Sequence, residues 1–503
     1  MKSYTRVVQF TVIAWVLFLG SSCTKNFKEL NTDPTLVTRD VVPPSMIFTA
    51  VLKNSIFSTY NRGPLSNYAS YYVAEDQGNL FQNTNWSDPF GTYYLNYLIN
   101  AAEVVRLTAG DPKLSNEHAI GRIWKVWLFH QLTDMYGDIP YSQAILGVDS
   151  VIYQSKYDPQ QSIYDDMLKE LKEATAALSD DPSLSSFGSA DILFGGNLDN
   201  WKRFANSLRF RLAIHARYAD ANLAQQNISD IVNQPLINDN SLNAKLTTID
   251  GADDNNKNPL YLNRINSQDY PVWVSFTTTE VLQKLNDPRL TIFANPAADG
   301  VSGYRGRPLQ ILDQEKLRYT VTSTASLPES FQQPVYSIIV MNAAEVFFLR
   351  AEAAVAGITA EDPQEMFSKG IQASLEQYAV PSGTITGYLA SASGTLSGTD
   401  EEKLEQIGVQ KWLAIYYETN EGWTEFRRTG YPKVWTGSEK GVTNGNIPRR
   451  LTYPLDEYQK NETNVKDAAG RYGTGDILMS KVWWDKKPGV PFAHPKQGMF
   501  PPE

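Results

Sequence analysis

An apolar repeat of three and four residues returns along this chain and limits it to packed helices. Ile163, Met167, Leu171, Ala174 and Leu178 share one face, behind a polar stripe of Asp165, Asp166, Lys169, Glu170 and Lys172. An α-helix turns once in 3.6 residues, so this spacing buries one side and leaves the other in water. Trp201, Phe204, Ala205, Leu208 and Leu212 repeat the pattern. A third helix is expected from about Asn342 to Ala356, closed by Gly357, and Asp362-Pro363 with Glu365 opens the next as N-cap, first helical residue and far side of a capping box. Thr399 and Glu402 do the same for a fourth. The pair from Asn342 to Tyr378 is close in length to the roughly 34 residues of a tetratricopeptide unit, and Ala343, Ala344, Ala351, Ala353 and Ala354 supply the small side chains that let helices approach. The expected fold class is therefore all-α, mainly helical, with tetratricopeptide-like helix pairs forming a solenoid-like scaffold. Residues 235–278, 289–340 and 430–503 read as long irregular loops, and long loops on a rigid scaffold are where binding usually resides. No composition break marks a second domain, so residues 45–503 are expected to form one.

The N-terminus reads as an export signal. Lys2 and Arg6 precede an apolar run from Val7 to Leu19, and the small residues Gly20, Ser21 and Ser22 lead to Cys23. The run is shorter than the roughly 17–25 residues of a spanning helix. Cys23 is the one cysteine of the 503 residues, and it stands where a bacterial lipoprotein signal places the sulfur that receives a diacylglycerol. The expected organisation is a lipoprotein signal peptide over residues 1–22 and a lipidated tether over 23–44. With that thiol acylated no internal disulfide is available, so burial alone must hold the fold; hydrophobic residues at 42% over this length suffice for a sizeable core.

Charge and motifs exclude most other classes. Removing residues 1–22 takes away Lys2 and Arg6 and no acid, so the formal charge of −10 falls to −12. A negative surface without a Lys/Arg-rich run offers nothing to nucleic acid or to anionic lipid heads. There is no phosphate-binding loop, no nucleophile elbow, no HExxH helix and no cysteine pair for zinc. His118, His130, His215 and His494 show no metal-ligand spacing in sequence, and His130 and His215 fall inside apolar helices as core residues. An enzyme is not expected, although two carboxylates across a sugar cleft would suffice for a glycoside hydrolase. Asp250 to Asn256 resembles a calcium loop in composition but lacks its order of ligands, so no metal or cofactor is expected there.

Several ordered strings carry a resemblance. Phe27 to Pro34 (FKELNTDP), Leu132 to Tyr141 (LTDMYGDIPY), Lys156 to Tyr164, Trp201 to Arg209, Asn286 to Leu290, Ala344 to Ala353, Trp423 to Pro432 and Ile447 to Pro454 look like successive blocks of the SusD/RagB family of outer-membrane lipoproteins. Physically, Asp134 and Asp138 flank a Tyr-Gly turn that ends a helix, and Asp287-Pro288 is a turn or cap. Arg427, Arg428, Arg449 and Arg450 are expected to pair with carboxylates such as Glu421 or Glu457. The resemblance implies tetratricopeptide-like helix pairs with long loops, a lipid anchor at the outer membrane facing the exterior, and a SusC-like TonB-dependent transporter as partner. It implies nutrient capture, of oligosaccharides or in some members of peptides, without catalysis. The alternatives are a helical-repeat scaffold that binds only its transporter and, last, a glycoside hydrolase.

A sugar site needs an aromatic face for the ring and polar groups for the hydroxyls. Two segments offer both. The first, Asp76 to Tyr94, contributes Asn79, Asn83, Asn85, Trp86, Asp88 and Tyr94, and the resemblance places binding residues in this region. The second contributes Tyr270, Trp273, Tyr304 and Arg305. Trp86, in an Asn-rich context with few apolar neighbours, is the leading candidate.

Overall fold

Side chains that satisfy exposed backbone groups set the helix starts, as the spacing predicts. Asn342 accepts from Glu345 N at 2.8 Å, Asp362 from Glu365 N at 3.0 Å, and Thr399 exchanges both bonds of a capping box with Glu402. At Asp362 only half of the expected box forms, because the Glu365 carboxylate turns to Lys369 Nζ at 2.6 Å. The computed structural model describes residues 42–60, 72–74, 88–146, 152–266, 272–437 and 441–502. Cys23, the export segment and nearly all of the tether lie outside them.

The helices that carry the argument are α1 (Pro44–Tyr60), α2 (Asp88–Thr92), α3 (Ile99–Thr108), α4 (Ser115–Tyr136), α5 (Gln160–Ala177), α6 (Leu198–Ala216) and α7 (Ala221–Ile231). They are followed by α8 (Ala343–Val355), α9 (Pro363–Gln377), α10 (Asp400–Ala414), α11 (Thr419–Thr429), α12 (Leu455–Lys460) and α13 (Glu462–Gly470). A π-helical turn, Tyr93–Leu98, joins α2 to α3. Neighbours in sequence pack side by side, α3 on α4, α4 on α5, α5 on α6 and α6 on α7. In the second half α8 packs on α9 and α10, while α11 lies against α1 and α4. This is the solenoid-like stacking of helix pairs that the periodicity predicts. Among the described residues no helix is long and apolar enough to cross a membrane.

One cluster of buried side chains runs from Phe48 to Trp484 and includes Ile163, Met167, Leu171, Ala174, Trp201, Phe204 and Leu208, the faces read from the sequence. Short strands pair as well, all antiparallel: β1 (Val73–Ala74) with β5 (Trp273–Val274), β2 (Ile139–Pro140) with β3 (Tyr157–Asp158), and β4 (Ala244–Thr247) with β6 (Ser337–Met341); of these, β4, β5 and most of β6 fall in the segments expected as irregular. In β4 the alternation is short, buried Ala244 and Leu246 against exposed Lys245 and Thr247, which is why period-2 patterning is hard to see there.

The turn after α4 aims the chain toward the site described next. Gly137 has φ +79°, and a Cβ there would lie 2.3 Å from Tyr472 Oη, so both conformation and space require glycine. Asp138 Oδ1 then accepts from Gln160 N at 2.8 Å and Oδ2 pairs with Arg471 at 2.5 Å, tying the turn to the start of α5.

Candidate functional site

Where α2 and the π turn meet the chain after β2 and the segment Tyr453–Asn461, the surface opens into a cleft of about 940 Å³. Its floor is aromatic. Phe90, Tyr94 and Tyr453 line it, with Phe90 5.0 Å from Tyr94 between ring centres; Tyr157, which does not itself line the cleft, lies 6.3 Å from Phe90 and meets Tyr453 edge-on at 5.0 Å. The hydroxyls are fixed: Tyr94 donates to Pro140 O and Tyr157 donates to Glu457 Oε2 at 2.8 Å. Burial and the Glu457 carboxylate push the Tyr157 hydroxyl well up, so it stays protonated and keeps donating. The rim is apolar and open to solvent, with Leu95 73%, Leu455 61% and Tyr153 90% exposed. Asp456 and Lys460 pair across one turn of α12 at 2.8 Å. An aromatic floor, aliphatic rim and a few carboxylates suit a ligand with both apolar faces and hydroxyls.

Of the residues singled out in the sequence, Tyr94 lines this cleft. Asp88 opens α2 beside it. Trp86, Asn79, Asn83, Asn85 and Tyr270 lie outside the described residues. Trp273, Tyr304 and Arg305 are not among the residues lining the cleft. Trp273 is 5% exposed in β5, and the Arg307 guanidinium covers its ring at 4.0 Å. Tyr304 packs half-buried on Val274, Ala294 and Ala325, and Arg305 is held by both Asp299 oxygens at 2.6 Å. Leu95, Tyr153 and Leu455 were missed. The run Val151-Ile152-Tyr153 in a polar stretch, followed by no helical repeat, is the sequence signal that could have flagged Tyr153.

A second cluster of functional side chains is wholly interior. Arg211 (α6) grips Glu345 (α8) with two bonds of 2.6 Å, and Arg428 (α11) grips Glu352 (α8) at 2.5 and 2.7 Å and Glu425 at 2.9 and 2.8 Å. Lys411 (α10) lies 3.1 Å from Glu421 and 3.0 Å from Glu425. His130 and His215, far apart in sequence, stand 6.0 Å apart between ring centres with Asp134 facing both, at 3.4 and 3.5 Å. Burial pulls His215 down, but Glu421, 3.1 Å away, and Asp134 outweigh it and hold it above its ordinary value. Burial dominates at His130 and pushes it down to about 4. The donor atoms of His130, Asp134 and His215, and of His215, Glu421 and Glu425, lie within 4.8 Å of one another, a spacing that could hold a metal ion. In the second set the Lys411 ammonium already supplies positive charge. These pairs tie α4, α6, α8, α10 and α11 together.

Three of the four arginines find carboxylates, with partners other than those expected, and Arg427 takes backbone carbonyls. Arg428 takes Glu352 and Glu425, Arg449 takes Asp485 at 2.7 and 2.5 Å, and Arg450 takes Asp476. Arg427 instead donates to the carbonyls of Asp134 and Arg449 and stacks 3.7 Å over Trp423; burial pushes it down to about 9. Glu421 serves His215 and Lys411, and Glu457 serves Tyr157. In the acidic loop, Asp253 caps Asn255 N at 2.9 Å and Asp254 reaches Lys257 at 2.8 Å.

Comparison with known proteins agrees with this architecture. Residues 38–454 match the model of a family described as SusD-like, starch-binding and associating with the outer membrane. No curated protein matches. Among solved structures, a chitin-binding protein superposes with a TM-score of 0.79 at 25% identity, covering 88% of this chain and 100% of its own. A chitin-binding SusD homologue from Flavobacterium johnsoniae gives 0.75 at 26%, covering 88% and 97%. A SusD homologue from Bacteroides ovatus gives 0.75 at 26%, covering 88% and 99%. With most of its length matched and its helix pairs superposed, the chain belongs to the SusD-like family.

Proposed function

We propose that this protein captures oligosaccharides at the outer membrane and passes them, without catalysis, to a partner TonB-dependent transporter. The match of residues 38–454 to a starch-binding, outer-membrane-associated family carries the reading. The likeness to chitin-binding homologues at 25–26% identity supports a glycan as the cargo. In this account Cys23 bears the lipid that holds the acidic mature chain at the membrane, facing outward, and the energy for transport enters through the partner. Trp86, with Asn79, Asn83, Asn85 and Asp88, is the first stacking and hydrogen-bonding set to test; in sequence Trp86 stands two positions before Asp88, the first residue of α2. Trp273 and Arg305 are weaker contacts for a ligand, since Arg307 and Asp299 already occupy them.

Electrophoresis of the purified mature chain through gels containing starch, chitin-derived and other soluble glycans tests the reading, with product analysis of the same mixtures. Retardation without product is expected. No retardation on any glycan would leave a scaffold that binds only its transporter, and new reducing ends would point to a hydrolase.

A further inference from the structure

Tyr153 is 90% exposed, yet the turn that bears it is tied at several points. Gln154 Nε2 donates to Lys460 O at 3.1 Å, Asn461 Nδ2 to Ser155 O at 2.8 Å, and Asn464 Nδ2 to Gln154 O at 3.0 Å. From the other side Lys156 N donates to Gln143 Oε1 at 3.1 Å, and Ser155 Oγ to Gln143 O at 3.2 Å. A ring so exposed adds almost nothing to the core, so this tethering is not explained by burial of Tyr153. What the bonds do achieve is a fixed backbone position for the turn that carries the phenol ring on the rim of the cleft, so the backbone share of its ordering cost is met before any ligand arrives. Leu95 and Leu455 also line the cleft, stand exposed and add aliphatic surface to the same opening.

Charge narrows the occupant. Among the described residues, the charged side chains lining the cleft are Asp456, Glu457 and Lys460, two carboxylates against one ammonium, with Lys460 already paired to Asp456. An anionic chain, uronate or sulfated, meets net repulsion, whereas the hydroxyls of a neutral chain find acceptors. A pyranose ring has an apolar C–H face that fits an aromatic plane and an equatorial belt of hydroxyls that fits carboxylates.

We propose that Tyr153 is a stacking platform for a neutral oligosaccharide lying in this cleft, with Leu95 and Leu455 covering its apolar side. The proposal rests on the glycan-capture reading and assigns that reading a place and a ligand class. Calorimetry of the mature chain with maltotetraose, with the tetramer of N-acetylglucosamine and with a tetragalacturonate tests it. Binding of a neutral tetramer, a roughly tenfold loss in Tyr153→Ala and near-full affinity in Tyr153→Phe are expected, all at an unchanged melting temperature. If the wild type binds a neutral tetramer and Tyr153→Ala binds it within twofold, capture stands and the cleft assignment falls. Preference for the tetragalacturonate overturns the ligand class. Binding of none of the three overturns the inference, and failure on a wider glycan panel would take the capture reading with it.

Discussion

Replacing Arg428 with Met tests whether the interior ionic cluster holds the helix layers together. The guanidinium is fully buried and bonds two carboxylates bidentately, Glu352 of α8 and Glu425 of its own helix α11. Removing one partner of a buried pair typically costs about 3–5 kcal/mol, because the remaining charge stays out of water. Each carboxylate keeps a second partner, Glu352 through Arg217 at 2.6 Å and Glu425 through Lys411 at 3.0 Å, so the loss belongs at the lower end, about 3 kcal/mol. Urea unfolding followed by tryptophan fluorescence at pH 7 measures it. The pH dependence gives a second readout. Burial raises Glu352, but Arg428 and Arg217 outweigh it and hold the carboxyl below its ordinary value, so it contributes stability above that value that is lost as pH falls. Without Arg428 the carboxyl protonates more readily, and the gap between variant and wild type should narrow toward pH 5. The double variant Arg428→Met with Glu352→Gln should cost less than the two single costs together, because the stranded charge is gone. A loss under about 0.5 kcal/mol, the size of an ordinary surface change, or a gap that widens in acid, would refute the reasoning.

Three other outcomes follow from the same reasoning. Cys23→Ser should move the protein from the membrane to the soluble fraction, since among the described residues no helix is long and apolar enough to cross a membrane, and retention through a salt wash would count against the lipid tether. Trp86→Ala should weaken glycan binding by about 1–2 kcal/mol, roughly five- to thirtyfold, with the melting temperature unchanged; a fallen melting temperature with intact affinity would return Trp86 to the core. His130, held down to about 4 by burial, stays neutral in the fold while the unfolded chain takes a proton near 6.5. Its contribution is therefore fully present above pH 6.5 and lost as pH falls toward 4, by about 3 kcal/mol, and His130→Gln should flatten that part of the stability profile measured by urea unfolding.

The helical layers were legible because periodicity and caps are local signals: the faces of α5 and α6 and the Thr399–Glu402 box are each written within one or two turns. The cross-chain chemistry was not. His130 and His215 meet only because α4 and α6 pack together, and Glu421 finds His215, Lys411 and Arg211, none of them among the arginines expected, because of which helices face α11. The same limit applies at the candidate site. Tyr94 could be picked from its polar, aromatic context, whereas Tyr153 and Leu455 belong to one opening only through hydrogen bonds between residues 154 and 460–464. Trp273 shows the reverse failure, since an aromatic in a polar stretch became a covered ring once β5 paired with β1 and Arg307 lay over it.

The central claim, capture of glycans at the cell surface, is tested most directly by measuring retention of a fluorescent neutral oligosaccharide on intact cells. Cells carrying the wild type are compared with cells lacking the gene and cells carrying Cys23→Ser. The account predicts retention and later uptake of unhydrolysed label with the wild type, and loss of both in the other two. Equal retention in all three, or release of cleaved label by the purified protein, would contradict it.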